Sequence, residues 1–212
     1  MNILVAAFEP FDGQVLNPTL EALNQLPHEI GNHKLTKLEL PTVFYEANDV
    51  LVQCINQNNI DAVLTIGQAG GRSELTPERI AINIDDARIP DNKGQQPIDT
   101  PIQQDGAPAY FSNMPVKKMT AAIQQSGVKA RLSNTAGTFV CNHIFYQSGY
   151  LQATQYPQLL FGFIHVPYIS EQCNVQTATP SLSLATIVTG LTAAITAISY
   201  DDDASLVLGQ TE

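Results

Sequence analysis

Basic side chains are scarce in this chain: 10 Lys and Arg stand against 20 Asp and Glu, for a net charge of −10. Nucleic acids are bound through clustered Lys and Arg, and the closest cluster here is the pair Lys117-Lys118, so no nucleic-acid partner is expected. The acidity is read as a solubility feature. Cysteine is scarcer still. Cys54, Cys141 and Cys173 are odd in number and lack metal-ligand spacing, which argues against a disulfide framework and against a zinc site. No apolar run approaches the length of a membrane span, so no membrane partner is expected. The opening Met1-Asn-Ile-Leu-Val-Ala-Ala-Phe8 has no charged n-region and reaches Glu9-Pro10 too soon for a secretory signal. Together these absences describe a soluble, reduced, cytoplasmic protein.

What is present is enough for one substantial core: 212 residues, 44% of them hydrophobic. Short apolar runs at residues 3–8, 61–67 and 159–168 have the unbroken character of strands buried on both faces of a parallel sheet. Between them lie helical patterns. Asn17-Pro18-Thr19 reads as an N-cap with proline at the first helical position, opening a helix through Leu23. Residues 35–40 alternate as a strand, and 43–56 have helical spacing that turns Cys54 toward the core. Residues 78–85 alternate with period two, which puts Glu78, Ile80, Ile82 and Ile84 on one face of a single strand. Residues 115–125 form a helix stopped by Gly127, and 181–199 a final helix. Strand–helix alternation without an internal repeat predicts a single-domain α/β three-layer sandwich over residues 1–200. Its sheet is mostly parallel and twisted, with helices on both faces. Residues 87–104, punctuated by Pro90, Gly94, Pro97 and Pro101, form a long loop or protruding hairpin, and loops of that length are usually functional or disordered. Residues 201–212 are an acidic, flexible tail.

Three places carry possible chemistry. In Ser133-Asn-Thr-Ala-Gly-Thr-Phe-Val-Cys141-Asn-His-Ile-Phe-Tyr146, a strand end and a tight loop lead into a helix whose first turn holds Cys141. A thiol there feels the partial positive charge of unpaired N–H groups, which favours thiolate, and the same groups can receive an oxyanion. Equally, a free cysteine can be one more buried small hydrophobe. His165 stands near the C-terminal end of the last buried run, where ligands gather in open α/β sheets, or is a hydrogen-bonded core histidine. Glu78 is a carboxylate on an apolar strand face, costly unless paired with a group such as a histidine, or else it lies in water at a strand edge. The other histidines belong to a polar connector (His28, His33) or, as His143, to a structural position on the cysteine helix. Gly67-Gln-Ala-Gly-Gly-Arg72 follows a strand but fits neither the dinucleotide nor the P-loop spacing; it lets the backbone approach a ligand closely.

These blocks together resemble the type I pyroglutamyl peptidase family, also called pyrrolidone-carboxylate peptidases, a family of cysteine peptidases. Gly67-Gln-Ala-Gly-Gly-Arg with Leu75-Thr-Pro-Glu78-Arg-Ile-Ala-Ile-Asn83 is similar to the family's glutamate signature. The stretch around Cys141 is similar to its cysteine signature, and Phe163-Ile-His165-Val-Pro-Tyr168 to its histidine block. Phe8-Glu-Pro-Phe11 with Asn17-Pro18, Leu40-Pro-Thr42-Val, Arg88-Ile-Pro-Asp-Asn92 and Asp105-Gly through Phe111-Ser112 also fit. Departures are Ala6-Ala7 where the family often has Thr-Gly, Leu20 for a frequent Trp, and Ala130 for a larger aliphatic residue.

The resemblance implies hydrolysis of the amide bond after an N-terminal pyroglutamyl residue. Cys141 would be the nucleophile, His165 the general base and then acid, and Glu78 the group orienting the imidazole. The Cys141 N–H is an oxyanion donor, and Arg88 either stabilises charge or forms a salt bridge to a nearby acid. Pyroglutamate is a flat neutral lactam, so its site needs apolar walls and a few amide partners. Phe8, Phe11, Ile89, Phe139 and Val140 are assigned to the walls. Main-chain groups of Gln68 and Val140 are assigned to the lactam, and Asn17 and Thr42 to support. No metal or organic cofactor is implied. The family also implies a homotetramer, with residues 87–104 at an interface. Two other readings stand beside this one: a nucleoside-phosphorylase-like enzyme on a similar sheet, suggested by the glycine cluster, and a catalytically inactive α/β binding protein.

Overall fold

In the computed structural model, which describes residues 1–173, 179–201 and 206–209, the apolar runs become the centre of one sheet. The elements in chain order are β1 (Asn2–Phe8), α1 (Pro18–Gln25), β2 (Glu29–Ile30), β3 (His33–Leu40), α2 (Glu46–Gln57), β4 (Ala62–Gln68), β5 (Thr76–Glu78) and β6 (Ile80–Ile82). They continue with β7 (Ala109–Phe111), α3 (Val116–Gln125), α4 (Val140–Thr154), β8 (Leu160–Val166), β9 (Tyr168–Ile169), β10 (Ser181–Leu182) and α5 (Leu184–Thr196). Six strands form the sheet β2-β3-β1-β4-β8-β5. The pairs β3–β1, β1–β4 and β4–β8 are parallel, and antiparallel β2 and β5 close the two edges.

Strand β1 explains why its sequence is apolar throughout. Ile3, Val5 and Ala7 enter the core under α1, α3 and α5, whereas Leu4, Ala6 and Phe8 enter the core under α2 and α4. Both faces are covered, so alternation gives way to a continuous run. At the start of α1, Asn17 Oδ1 accepts from Thr19 N at 3.0 Å with Pro18 at the first helical position, as the sequence predicts.

Helix α4 is deeply set. From Val140 to Gly149 every residue except Cys141 is buried, so the helix is central and not amphipathic. Its N-terminus points into the region at the C-terminal ends of β4 and β8, where Cys141 meets His165 and Gln68 around one cavity.

One reading of the chain changes here. The predicted single strand over 78–85 is broken at Arg79: β5 pairs with β8 in the main sheet, while β6 pairs with β7 in a separate two-stranded sheet. Its period-two face therefore splits, with Glu78 fully buried and Ile82 37% exposed. Residues 87–104 hold no strand; an isolated antiparallel bridge between Asp85 and Thr100 closes their base. The loop is anchored to the body. Ala87, Asp91 and Ile102 are buried, and the Asp91 carboxylate accepts from Phe44 N, Lys93 N and Gln95 N. Cys54 is half-buried at the edge of the α2/α4 core, with its carbonyl bonded to Asn58. Most of the acidic tail lies outside the described residues.

Candidate active site

The site begins with the end of β4 and the start of α4. Gly67 lies opposite His165 in the parallel register of β4 and β8. A Cβ built on Gly67 would stand 2.8 Å from Cys141 Sγ and 2.6 Å from the Phe163 ring. The glycine is thus what allows the sulfur to lie over the sheet beside the strand that carries the histidine. Cys141 occupies the first turn of α4, whose N-cap, Phe139, has no side-chain oxygen to offer. The first-turn N–H groups are left without a side-chain partner, at the positive end of the helix. The two residues after the cysteine fix its position. Asn142 clasps β6 by accepting from Ile82 N at 3.0 Å and donating to the Ile82 and Ile84 carbonyls, and His143 pairs with Asp85.

His165 is buried on β8 and its Nδ1 lies 2.7 Å from Glu78 Oε1. Glu78 is on β5, antiparallel to β8, and has no solvent exposure. Arg72, delivered by the turn after β4, lies 2.6 Å from the same Oε1 through Nη1; that nitrogen also donates to Thr76 Oγ1, while Nη2 donates to the Thr135 carbonyl at 3.1 Å. Burial works against ionising Glu78, but the His165 hydrogen bond and the charges of His165 and Arg72 outweigh it and hold the carboxyl below its usual range. Burial pulls His165 down, toward neutral imidazole, against the pull of Glu78 and with the help of Arg72.

The thiol departs from the sequence expectation. Burial pushes Cys141 up to about 12, the charge of Glu78 adds to this, and only Arg72 opposes it. A helix start supplies a partial charge that fades within one turn, and at this thiol, which still opens onto the cavity, desolvation outweighs it. Both directions favour the uncharged pair, thiol and neutral imidazole.

These groups line one cavity of about 300 Å³. Phe11, Ile89 and Phe139 make it apolar, with the Phe11 and Phe139 rings 6.1 Å apart. Gln68, Asp86 and Arg88 bring polar groups, Gly70 and Gly137 bare backbone, and Cys141 and His165 the reactive atoms. A larger cavity of about 500 Å³ between α2 and α4 is lined mainly by amides such as Asn56, Gln103 and Gln147 and contains no nucleophile paired with a base. Among the described residues no group of His, Cys, Asp and Glu could hold a metal ion, and no helix is long and apolar enough to cross a membrane.

The family model described as pyroglutamyl peptidase matches residues 1–201. The chain belongs to the pyroglutamyl peptidase family. It is 64% identical over 211 residues to the pyrrolidone-carboxylate peptidase of Staphylococcus haemolyticus and 62% identical over 213 residues to that of Staphylococcus carnosus, with all of each chain covered. Among solved structures, pyroglutamyl peptidase I of Bacillus amyloliquefaciens superposes with a TM-score of 0.91 at 41% identity, over 95% of this chain and 98% of that one. A mutant pyrrolidone carboxyl peptidase of Pyrococcus furiosus superposes with a TM-score of 0.87 at 38% identity, over 92% and 96%.

Within this pyroglutamyl peptidase fold the predicted site residues separate into three groups. Glu78, Cys141, His165, Phe11, Gln68, Arg88, Ile89 and Phe139 converge, all but Glu78 on the cavity itself. Asn17 and Thr42 lie behind it as supports: Asn17 Nδ2 donates to the Glu9 carbonyl at 3.2 Å, and Thr42 bonds Glu9 through both its N–H and its hydroxyl. They hold the loop that presents Phe11. Phe8 and Val140 do not form walls; their side chains are 2% and 0% exposed and pack in the α2/α4 core, leaving Val140 only its main chain to offer. Arg88 is exposed at the cavity and makes no ion pair among the described residues, so the salt-bridge alternative falls away. The glycine cluster makes room for protein side chains, Cys141 and Phe163 at Gly67 and the Tyr168 ring at Gly70, while Gln68 and Gly70 line the cavity. Sequence reasoning missed Arg72. Its signal was present, since a lone cation ending a glycine turn six residues before a buried glutamate is a natural counter-charge.

Proposed function

We propose that the chain releases N-terminal pyroglutamyl residues from peptides through a Cys141–His165–Glu78 triad. The reaction class follows from the family. The assignment of roles is carried by one observation: His165, its Nδ1 held 2.7 Å from Glu78 Oε1, lines the same cavity as Cys141. With Nδ1–H donated to the carboxylate, Nε2 is the basic nitrogen. It takes the Cys141 proton as the sulfur attacks the pyroglutamyl carbonyl, and Glu78 stabilises the imidazolium that forms. The carbonyl oxygen becomes an oxyanion at the uncapped start of α4, within reach of its N–H groups. His165 returns the proton to the leaving amine, which departs as the shortened peptide. Water, activated by the same nitrogen, then hydrolyses the thioester and frees pyroglutamate and the thiol. Phe11, Ile89 and Phe139 suit the flat lactam ring, and main-chain groups at Gln68 and Val140 its amide edge.

Turnover of a pyroglutamyl-aminocoumarin amide tests this. Cys141→Ser should abolish release of the fluorophore, while Cys54→Ser and Cys173→Ser remain active. Iodoacetamide should inactivate the protein, and a pyroglutamyl ligand should protect it. Retained turnover in Cys141→Ser would overturn the assignment. Assembly as a cytoplasmic homotetramer is the accompanying proposal, supported by exposed apolar side chains on the small sheet and the long loop, Phe111 at 62% and Ile98 at 75%. A monomeric mass in solution would remove the assembly without touching the chemistry.

A further inference from the structure

Glu78 Oε1 is shared. His165 Nδ1 lies 2.7 Å from it and Arg72 Nη1 2.6 Å, while Oε2 is buried without a partner. The arginine is itself tied down: Gly71, at φ +89°, turns the chain so that the guanidinium reaches Thr76 on β5 and the Thr135 carbonyl in the loop leading to α4. One side chain thus joins the glutamate strand to the approach of the cysteine helix. We propose that Arg72 is a positioning residue that fixes the Glu78 carboxylate and, through its charge, keeps His165 in the neutral, proton-accepting form. This inference rests on the triad reading above.

The physical argument is one of sharing. A buried carboxylate with a single histidine partner would hold an imidazolium tightly and give up its proton reluctantly. A fixed guanidinium on the same oxygen compensates the carboxylate's burial and leaves less of its charge for the imidazole. The charged and titratable groups that face His165 are Glu78 from β5, Arg72 from the turn after β4 and Cys141 from α4. Tyr168, Asp86 and Arg88 line the same cavity, and the Phe163 ring lies 4.7 Å away. Of the three nearest, Arg72 disfavours the imidazolium and favours the thiolate, so its two effects on the transfer itself oppose one another, and what its charge sets is the pH below which the imidazole is no longer free to accept the proton. Loss of its charge should raise both groups. The acid limb of kcat/KM then moves to higher pH whether it reports the imidazole or the thiol.

The test compares the full-length protein with R72Q and R72K, following pyroglutamyl-aminocoumarin amide turnover from about pH 5 to pH 9. R72Q should move the acid limb up by about one pH unit, a roughly tenfold loss of kcat/KM on that limb, with a smaller loss on the plateau. R72K, which keeps the charge but not the fork, should leave the limb in place and lower the plateau. Thermal unfolding identifies a variant that fails to fold, and R72M, which keeps the apolar stem, then replaces R72Q. A uniform fall at every pH in the neutral variant, with the limb unmoved, would overturn the inference and leave Arg72 a structural strut. Should C141S be inactive while that limb stays put, only this inference falls; should C141S turn over, the triad falls first.

Discussion

Two buried histidine–carboxylate pairs occupy this molecule and differ in almost everything but bond length. His165 Nδ1 lies 2.7 Å from Glu78, and His143 Nδ1 lies 2.8 Å from Asp85. His143 is even the closer of the two to Cys141 in sequence. Its second nitrogen, however, accepts from Tyr45 N at 3.4 Å, its ring is met edge-on by Phe44 and Tyr45, and it takes no part in the cavity. Asp85 in turn bridges through its backbone to Thr100 at the base of the long loop. That pair is a fastener joining α4, the start of α2 and the loop that carries Arg88 and Ile89. His165 keeps one nitrogen free of protein partners among the described residues, opens onto the cavity, and shares its carboxylate with an arginine. A buried acid–imidazole pair is therefore not a site. The uncommitted nitrogen beside a nucleophile is what makes one.

Swapping the insult between the two pairs should break that comparison if it is wrong. His165→Gln removes the proposed base, and turnover of the pyroglutamyl amide should fall by at least about 10³-fold with little change in unfolding temperature. His143→Gln should keep activity within several-fold but lower stability by roughly 1–3 kcal/mol, the cost of leaving a buried carboxylate underpaired. Asp85→Asn should resemble it. Equal losses of turnover in His143→Gln and His165→Gln would dissolve the distinction.

A subtler perturbation separates the proposed nucleophile from its proposed base. Gly67→Ala changes neither, yet its methyl group would stand 2.8 Å from Cys141 Sγ and 2.6 Å from the Phe163 ring. Both are side-chain neighbours, so the strand should survive while the sulfur is pushed off its position. Turnover should drop about 10- to 100-fold, as expected for a misplacement near 1 Å. Unchanged turnover would show that the sulfur does not need its place over the strand.

How far this was legible in the sequence depends on range. The parallel core, the Asn17 cap and the helix start at Cys141 follow from local patterns, and the structure has them. The family motifs marked Glu78, Cys141 and His165, which lie far apart in the chain and meet only because β5 and α4 both pack on β8. What was not legible required a tertiary fact. Period two over 78–85 cannot reveal that pairing switches sheets at Arg79. The aromatic residues flanking the first loop look alike, yet Phe8 is the last residue of a strand buried on both faces and Phe11 stands on the loop beyond it. At Cys141 the helix start that favours thiolate is visible in sequence, and the desolvation that works against it is not. Arg72 escaped because its partner is set by a turn, not by periodicity.

The smallest expected effect concerns stability. His165 is held neutral by burial, with its folded-state value below the ordinary 6.5. In the unfolded chain the same imidazole binds a proton as pH falls through 6.5, while in the folded protein it does so only at lower pH. The unfolded state then binds more protons, and its stability relative to the fold rises. Stability contributed by this group is complete above 6.5 and is lost as pH falls toward the folded value, at up to about 1.4 kcal/mol per pH unit. Glu78, also depressed, adds its own loss only at lower pH, below its ordinary 4.5. Urea unfolding at about pH 7.5 and about pH 5.5 should therefore show the parent protein losing more stability than His165→Gln over that interval. Parallel losses in the two proteins would mean that His165 takes up its proton in the fold as readily as in the unfolded chain. The contrast between an imidazole kept neutral for catalysis and one used as a fastener would then have to rest on geometry alone.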